Sequence, residues 1–315
     1  MEKIKLGEDL DKIPKLKTES DLFKECFVDL DAPVKPLDVL VYIGIDDRGN
    51  KVPAITRYEC SCIYAPSKAK KSYAKSLLES AYIGGKTIDF TEHFVGNRRT
   101  EGYLLSIDTE QGLFYATNGF LRIERIVGSR YKNYVPLQMR KQGVKDRLRI
   151  INWIIYESEY AGKIDLVTID GLADLVTNTN DLEMSSELAE QVIRWTAEGM
   201  HVNFILHKNP DSQKARGHLG TMSTIKCETL ISMDKLTDEN GEGEKNTVKI
   251  SCSHSRGVSF EPFYLTVNKQ GLPFTHTVME DNDFDRRFQD IEVQPIKNGT
   301  LEDAFGKPDE NDVPF

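Results

Sequence analysis

Short apolar runs separated by polar segments set the rhythm of this chain. Two near the start, LDVLVYIGI (37–45) and AITRYECSCIYA (54–65), read as strands, and Arg48-Gly49-Asn50 within the connecting DDRGNKVP suits a turn. SYAKSLLESAYIGG (72–85) predicts a helix that stops at its paired glycines. The polar stretch KTIDFTEHFVGNRRTEG reads as a loop before the strand YLLSID. GLFYATNGFLRI and KDRLRIINWIIYESEYAG then carry helical spacing, while IDLVTIDGL and HVNFILH are apolar strands. Between those two strands, Leu188, Val192, Ile193 and Trp195 lie among acidic residues, as on an amphipathic helix. After Thr221 the chain turns β-rich, with ETLISMDKL, TVKISCSHS and PFYLTVN, the first two joined by the polar turn TDENGEGEKN. Apolar strands alternating with helices predict an α/β fold, a mostly parallel twisted sheet flanked by helices on both faces, with a β-rich C-terminal part. Three regions follow: a polar, weakly helical arm over 1–35, a core over 36–279, and an acidic tail over 280–315 whose low apolar content predicts disorder.

Composition narrows the class. With 39% hydrophobic and 29% charged residues in 315, the chain is that of an ordinary globular protein, and no window approaches the ~18 apolar residues of a membrane span. The opening MEKIKLGEDLDKIPKLKTESD lacks the apolar core of a signal peptide, so a cytoplasmic protein is expected. Five cysteines form no paired framework, and Cys60-Ser-Cys62 suits no common zinc site; at i, i+2 in a strand the two read as buried thiols. A net charge of −9 argues against a globally basic nucleic-acid binder. Positions 122–149 are nonetheless basic, and Arg130, Lys132, Arg140 and Lys141 there are candidates to meet a polyanion; the plainer reading is a solvated helix face and loop.

Candidate chemistry gathers at strand ends, where parallel sheets bind ligands. The first is APSKAKKS (65–72), which ends in the Lys-Ser of a P-loop but has Ala65 and Lys70 where G-x-x-x-x-G-K-[ST] needs glycine. Backbone N–H groups at the start of the next helix would face phosphate, with Lys71 reaching the β/γ oxygens and Ser72 contacting Mg²⁺. The second, LLSIDTEQ, ends in Asp108 and Glu110, where a carboxylate would activate water. The third, LVTIDGLADL, brings Asp170 to a magnesium-holding position, or to a turn or cap. The fourth, NFILHKN, ends in His207-Lys208 before a polar loop containing ARGHLGT; there His207 is a phosphate sensor or a surface histidine.

From about Leu37 to His276 this ordered set resembles the RecA-type ATPase superfamily, particularly the single-core RecA/DnaB-like ATPases of phages and mobile elements. The resemblance implies a RecA-like core that binds ATP through Ala65, Ser67, Lys68, Lys70, Lys71, Ser72 and Asp170, and Mg²⁺ through Ser72 and Asp170. It implies Glu110 as the catalytic carboxylate, His207 as the sensor, and Arg256 of SCSHSRG as a finger reaching a neighbouring subunit's nucleotide. A mobile loop with Lys208, Lys214, Arg216 and His218 would contact single-stranded DNA, and the protein would form a homo-oligomeric ring or filament. The departure is the opening motif: Lys70 puts a long side chain where glycine lets backbone approach phosphate, so it either helps hold phosphate or fills the site. The end of the chain, PDENDVPF, is similar to the acidic tip of bacterial single-stranded-DNA-binding proteins. That likeness implies that Asp309, Glu310, Asp312, Val313, Pro314 and Phe315 dock on replication or recombination proteins; the alternative is a solubilising acidic tail. Two functions are therefore expected: a DNA-dependent ATPase of recombination or replication, or a hydrolysis-deficient single-stranded-DNA binder that recruits partners through its tail.

Overall fold

A computed structural model of the chain describes residues 18–97, 101–208, 217–237 and 244–277. The backbone divides into two compact units, 1–37 and 38–315. The described residues of the first include the helix α1 (Glu19–Cys26), started by a capping box in which Thr18 Oγ1 accepts from Asp21 N–H at 3.2 Å and the Asp21 carboxylate accepts from Thr18 N–H at 3.1 Å. The acidic tail, including Asp309 to Phe315, lies outside the described residues.

The second unit runs β1 (Val39–Ile45), β2 (Lys51–Thr56), β3 (Cys60–Ala65), α2 (Lys71–Ile83), β4 (Phe94–Gly96), β5 (Tyr103–Asp108), α3 (Leu113–Val127), β6 (Tyr134–Gln138), α4 (Val144–Tyr156) and β7 (Ile164–Asp170). It continues with α5 (Leu182–Ala197), β8 (His201–His207), α6 (Gly217–Lys226), β9 (Thr229–Thr237), β10 (Glu244–Ser255), β11 (Phe263–Val267) and β12 (Pro273–His276). Nine strands form one sheet in the order β12-β11-β10-β9-β3-β8-β7-β5-β6. Neighbours from β9 to β6 are parallel, and those from β9 to β12 antiparallel. The expected large, mostly parallel sheet flanked by helices is therefore present. A second sheet, β2-β1-β4, is antiparallel.

Period-two side-chain placement in strands buried on both sides explains why their sequences are continuously apolar. Ile63, Leu104, Leu166, Ile205 and Ile231 join one apolar cluster with Leu77 and Leu78 of α2. Their neighbours Cys62, Leu105, Val167, Phe204 and Leu206 join a second with Ile151 and Ile154 of α4 and Leu188, Val192 and Trp195 of α5. Cys60 and Cys62 are buried thiols of that second cluster, and Cys60 Sγ lies 3.8 Å from Cys227 Sγ. No helix among the described residues is long and apolar enough to cross a membrane.

Several boundaries differ from the expectations. The run 54–65 is two strands of different sheets, broken where Tyr58 takes a positive φ of 68°. The stretch 86–102 includes a 3₁₀ turn (Gly85–Asp89) and β4, and the basic segment 122–149 contains β6. Beyond 209–216, which lie outside the described residues, the expected loop is helical from Gly217, so His218 and Thr221 belong to α6.

Candidate functional site

The segment from Pro66 to Lys70 joins the central strand β3 to α2 and holds its shape without glycine. Lys68 and Lys70 both adopt positive φ, 61° and 59°, on either side of Ala69. Alternating left- and right-handed residues are one way a backbone builds an anion-receptive concavity, although the Ala69 N–H here bonds Pro66 O at 3.3 Å. Each non-glycine residue held there costs about 1–2 kcal/mol. Ala65 is fully buried in the apolar cluster beneath. The Lys70 ammonium leaves the turn and donates to Asn246 Oδ1 at 2.7 Å, so the long side chain reaches β10, two strands away from β3. Lys70 is also the N-cap of α2 in left-handed conformation, and the first N–H groups of that helix have no intrahelical acceptors.

Four strand ends then converge. The Lys71 ammonium is buried and donates to Pro66 O and to His207 Nδ1, both at 3.2 Å. Burial holds it below the usual lysine range, against the pull of Asp170 and Glu110. Ser72 Oγ donates to Asp170 Oδ2 at 3.0 Å, joining the first turn of α2 to the end of β7. Asp170, buried, is pushed up to about 6, first by desolvation and then by Asp108 and Glu110, with Lys75 and the Ser72 hydroxyl acting against them. At the end of β8, His207 accepts from Lys71 at Nδ1 and therefore carries its proton on Nε2, which donates to Glu110 Oε1 at 3.2 Å. That bond is the main reason the Glu110 carboxyl lies below its usual range. Ser67 Oγ lies 3.5 Å from the same imidazole, and Lys68 is exposed.

Asp108, the last residue of β5, is a scaffold. Its carboxylate accepts from Glu110 N–H at 3.1 Å and from Gln111 N–H and Nε2 at 2.7 Å, which fixes the turn carrying Glu110. Thr109 ties that turn to β7 through Asp170 O at 2.9 Å. Gly171 follows with a φ of 100°, and a Cβ there would lie 2.2 Å from Thr109 Oγ1, so the close packing of the two turns requires glycine.

Sequence patterning does not reveal the polar layer beneath this site. Glu79 is fully buried on the sheet-facing side of α2, where it accepts from Ser106 Oγ at 2.7 Å, Tyr134 OH at 3.4 Å and Thr168 Oγ1. Lys75, also buried, lies 3.5 Å from the Glu79 carboxylate. Arg122 of α3 caps the flank, donating to Ser76 Oγ at 3.1 Å and lying 3.9 Å from the centre of the Tyr73 ring. The only signal in the sequence is that Lys75 and Glu79 fall four and eight residues after Lys71.

The basic residues do not form one patch. Arg140 and Lys141 are exposed just beyond the end of β6, on the same sheet edge as Asp170 and Glu110, because Gln138 pairs with Asp108 across the strands. The Arg140 guanidinium reaches the start of α3, where a Cβ on Gly112 would sit 3.3 Å from it. Leu113, Phe114 and Tyr115 of that first turn are exposed, by 73% for Phe114 and 68% for Tyr115. Arg130 and Lys132 precede β6 and so lie toward the opposite edge, with Arg130 paired to Glu124 at 2.9 Å. Lys208, expected in the DNA-contacting loop, is instead buried. Its ammonium pairs with Asp234 at 2.5 Å and lies 5.3 Å from the Tyr64 ring centre, which withdraws it from the surface. His218 is exposed on the first turn of α6; Lys214 and Arg216 lie outside the described residues. Arg256 follows antiparallel β10 to the edge opposite Lys71, where it pairs with Glu59 at 2.8 Å and donates to Lys226 O at 3.0 Å.

Among the described residues, no group of three or more His, Cys, Asp or Glu side chains could hold a metal ion by itself. No family model matches the chain, and no curated protein matches it as a relative.

Proposed function

We propose that the protein binds a nucleoside triphosphate at the turn before α2 and acts on single-stranded DNA in recombination or replication, as a RecA-like protein. The observation that carries this reading is the convergence of Lys71, Ser72, Asp170, Glu110 and His207, each at or just beyond the end of a parallel strand and linked by contacts of 3.0–3.2 Å. ATP fits these residues. The left-handed turns at Lys68 and Lys70 supply the concavity that glycine would otherwise give, and Lys70 points to Asn246. Lys71 would exchange its contacts with Pro66 O and His207 for phosphate oxygens. Bound Mg²⁺ would add charge neutralisation on the phosphates; Ser72 and Asp170 would hold it, with phosphate and water completing its shell.

The chain's own residues divide the remaining work. Glu110, kept ionised by His207, is the acceptor that orients a water proton. His207 bridges Lys71 and Glu110, so a ligand that draws Lys71 away changes the bonding of the catalytic carboxylate. Arg140 and Lys141 on the same edge would meet DNA phosphates, and the exposed Phe114 and Tyr115 offer rings for bases. Arg256 would act only on a neighbouring copy's nucleotide, since its own site is at the other edge. The oligomer, the role of the tail and the identity of its partner belong to the same proposal.

The test measures ATP turnover and single-strand binding together. Wild type is expected to hydrolyse ATP faster with DNA present, and Lys71→Ala to lose that turnover while keeping its fold. Absent turnover, with DNA affinity indifferent to ATP, would replace this reading with a passive DNA binder.

A further inference from the structure

Two adjacent lysines leave the turn before α2 on opposite sides of β3. Lys71 donates toward β8, to His207 Nδ1 at 3.2 Å, and Lys70 donates toward β10, to Asn246 Oδ1 at 2.7 Å. In the sheet, β8 borders β3 on one side, while β9 and then β10 follow on the other. The backbone changes hand between the two lysines. Lys70 is the left-handed N-cap, with φ 59° and ψ 26°, and Lys71 is the first helical residue.

The two flanks differ in chemistry. On the β8 side, Lys71 meets His207 and, through it, Glu110, the carboxylate placed to orient water. On the β10 side, Lys70 meets the Asn246 amide, which in turn donates to Val267 O of β11. Lys235 of β9 pairs with Val248, two residues from Asn246, and extends that flank. It alternates with Ile231 and Met233, which belong to the apolar cluster of α2, so it follows the same side of the sheet. A phosphate chain lying over the turn therefore has its ends in unlike surroundings. The phosphate that water attacks belongs with Glu110 and His207, and the phosphates nearer the nucleoside fall on the side of Lys70. There a phosphate oxygen would replace the neutral amide as acceptor, and an ionised acceptor is the stronger partner for an ammonium.

We propose that Lys70 grips the inner phosphates that a nucleoside diphosphate and a nucleoside triphosphate share, so that the site holds both ligands through this contact. The residue standing where a phosphate-binding turn has glycine is then an added ligand contact. The inference rests on the nucleotide reading above and specifies which ligands the site retains, the diphosphate product included. A Lys70–Asn246 bond that only anchored the turn would depend on the amide as much as on the ammonium.

Calorimetric titrations of the full-length protein in magnesium, with ADP and with a non-hydrolysable ATP analogue, compare wild type with Lys70→Gln, Lys70→Arg and Asn246→Ala. Lys70→Gln removes the charge but keeps a residue with a Cβ in the turn, and it is expected to raise both dissociation constants by about tenfold. The two rises should agree within about threefold, because the lost contact is common to both ligands. Lys70→Arg should restore both affinities. Asn246→Ala keeps the ammonium and removes its amide partner, and it should bind both ligands at least as tightly as wild type. A rise below about threefold in Lys70→Gln, or a failure of Lys70→Arg to restore binding, overturns the inference. A rise confined to the ATP analogue overturns it by placing Lys70 on the terminal phosphate. Equal weakening in Asn246→Ala and Lys70→Gln overturns it by reducing Lys70 to an anchor. Should Lys70→Gln fail to fold, Lys70→Gly, the residue that a left-handed turn favours, takes its place under the same criteria. Wild type that binds both ligands alongside unchanged variants refutes the Lys70 contact and leaves the nucleotide site standing; wild type that binds neither ligand removes both.

Discussion

At the scale of single residues, the turn before α2 holds two lysines in a backbone conformation that usually favours glycine. Positive φ is disfavoured for a residue with a Cβ, yet Lys68 and Lys70 both adopt it here. Surrounding structure imposes the conformation: Ala69 N–H is tied to Pro66 O at 3.3 Å, and Lys70 is anchored to Asn246. Lys68 is exposed and makes no side-chain bond among the described residues, so it separates backbone strain from charge. Lys68→Gly and Lys68→Ala both remove the ammonium, but only glycine removes the left-handed penalty. Part of that gain is offset by the greater freedom of glycine in the unfolded chain. Lys68→Gly is therefore expected to be more stable than Lys68→Ala by about 0.5–1 kcal/mol, read from urea unfolding midpoints. Equal stability would mean that the turn relaxes to negative φ and that the concavity is not fixed.

At the scale of elements, two buried histidines join the small sheet to the large one. His201 of β8 donates from Nδ1 to Thr56 O of β2 at 2.7 Å and accepts at Nε2 from Ser61 Oγ of β3 at 2.8 Å. His93, just before β4, lies 2.9 Å from Thr275 Oγ1 of β12 and stacks on Phe263 of β11 at 4.3 Å. Burial lowers both from 6.5 to about 4. In that window the unfolded chain binds protons that the native state refuses, so stability falls as pH drops from 6.5 toward 4. Asp170 and Glu228, raised by burial, act in the opposite direction. The two histidines outweigh them, and unfolding free energy is expected to be lower at pH 5 than at pH 7 by on the order of 2 kcal/mol. Chemical denaturation at the two pH values checks this; equal or greater stability at pH 5 would contradict the neutral joints. The same elements mark what the sequence reveals. Strands such as IDLVTID are legible because burial on both faces requires continuous apolar residues, and strand-end acids follow from the topology. β6 (YVPLQ) is not: an edge strand with Pro136 and half-buried residues lacks both alternation and a continuous apolar run. α6 (GHLGTMSTIK) combines two glycines with three β-branched residues and reads as loop by propensity. The buried pair Lys75 and Glu79 is not legible, because periodicity alone cannot distinguish a charge that water surrounds from one that a partner satisfies.

At the scale of the molecule, parallel topology sorts the charges of an acidic chain between the two edges of one sheet. Lys71, Arg140 and Lys141 lie at the ends of the parallel strands, whereas Arg57, Arg130 and Arg256 are paired with Asp38 and Asp165, Glu124 and Glu59 at the other edge. The basic segment 122–149 thus resolves into two groups separated by β6, whose five residues span about 17 Å. Arg140 and Lys141 share an edge with Lys71, Asp170 and Glu110 and with the exposed rings of Phe114 and Tyr115, and neither makes an ion pair among the described residues. Single-strand binding is therefore expected to depend on one group and not on the other. The double variant Arg140→Ala/Lys141→Ala should weaken binding and lower the slope of log K against log salt by roughly 0.7 for each phosphate left without its cation, up to about 1.4. Arg130→Ala/Lys132→Ala should leave both affinity and slope at wild-type values. Fluorescence anisotropy with a labelled oligonucleotide at several salt concentrations makes the comparison. Equal weakening in the two variants would mean that a strand runs across the sheet from edge to edge, and weakening confined to the Arg130 pair would place DNA at the edge away from Lys71.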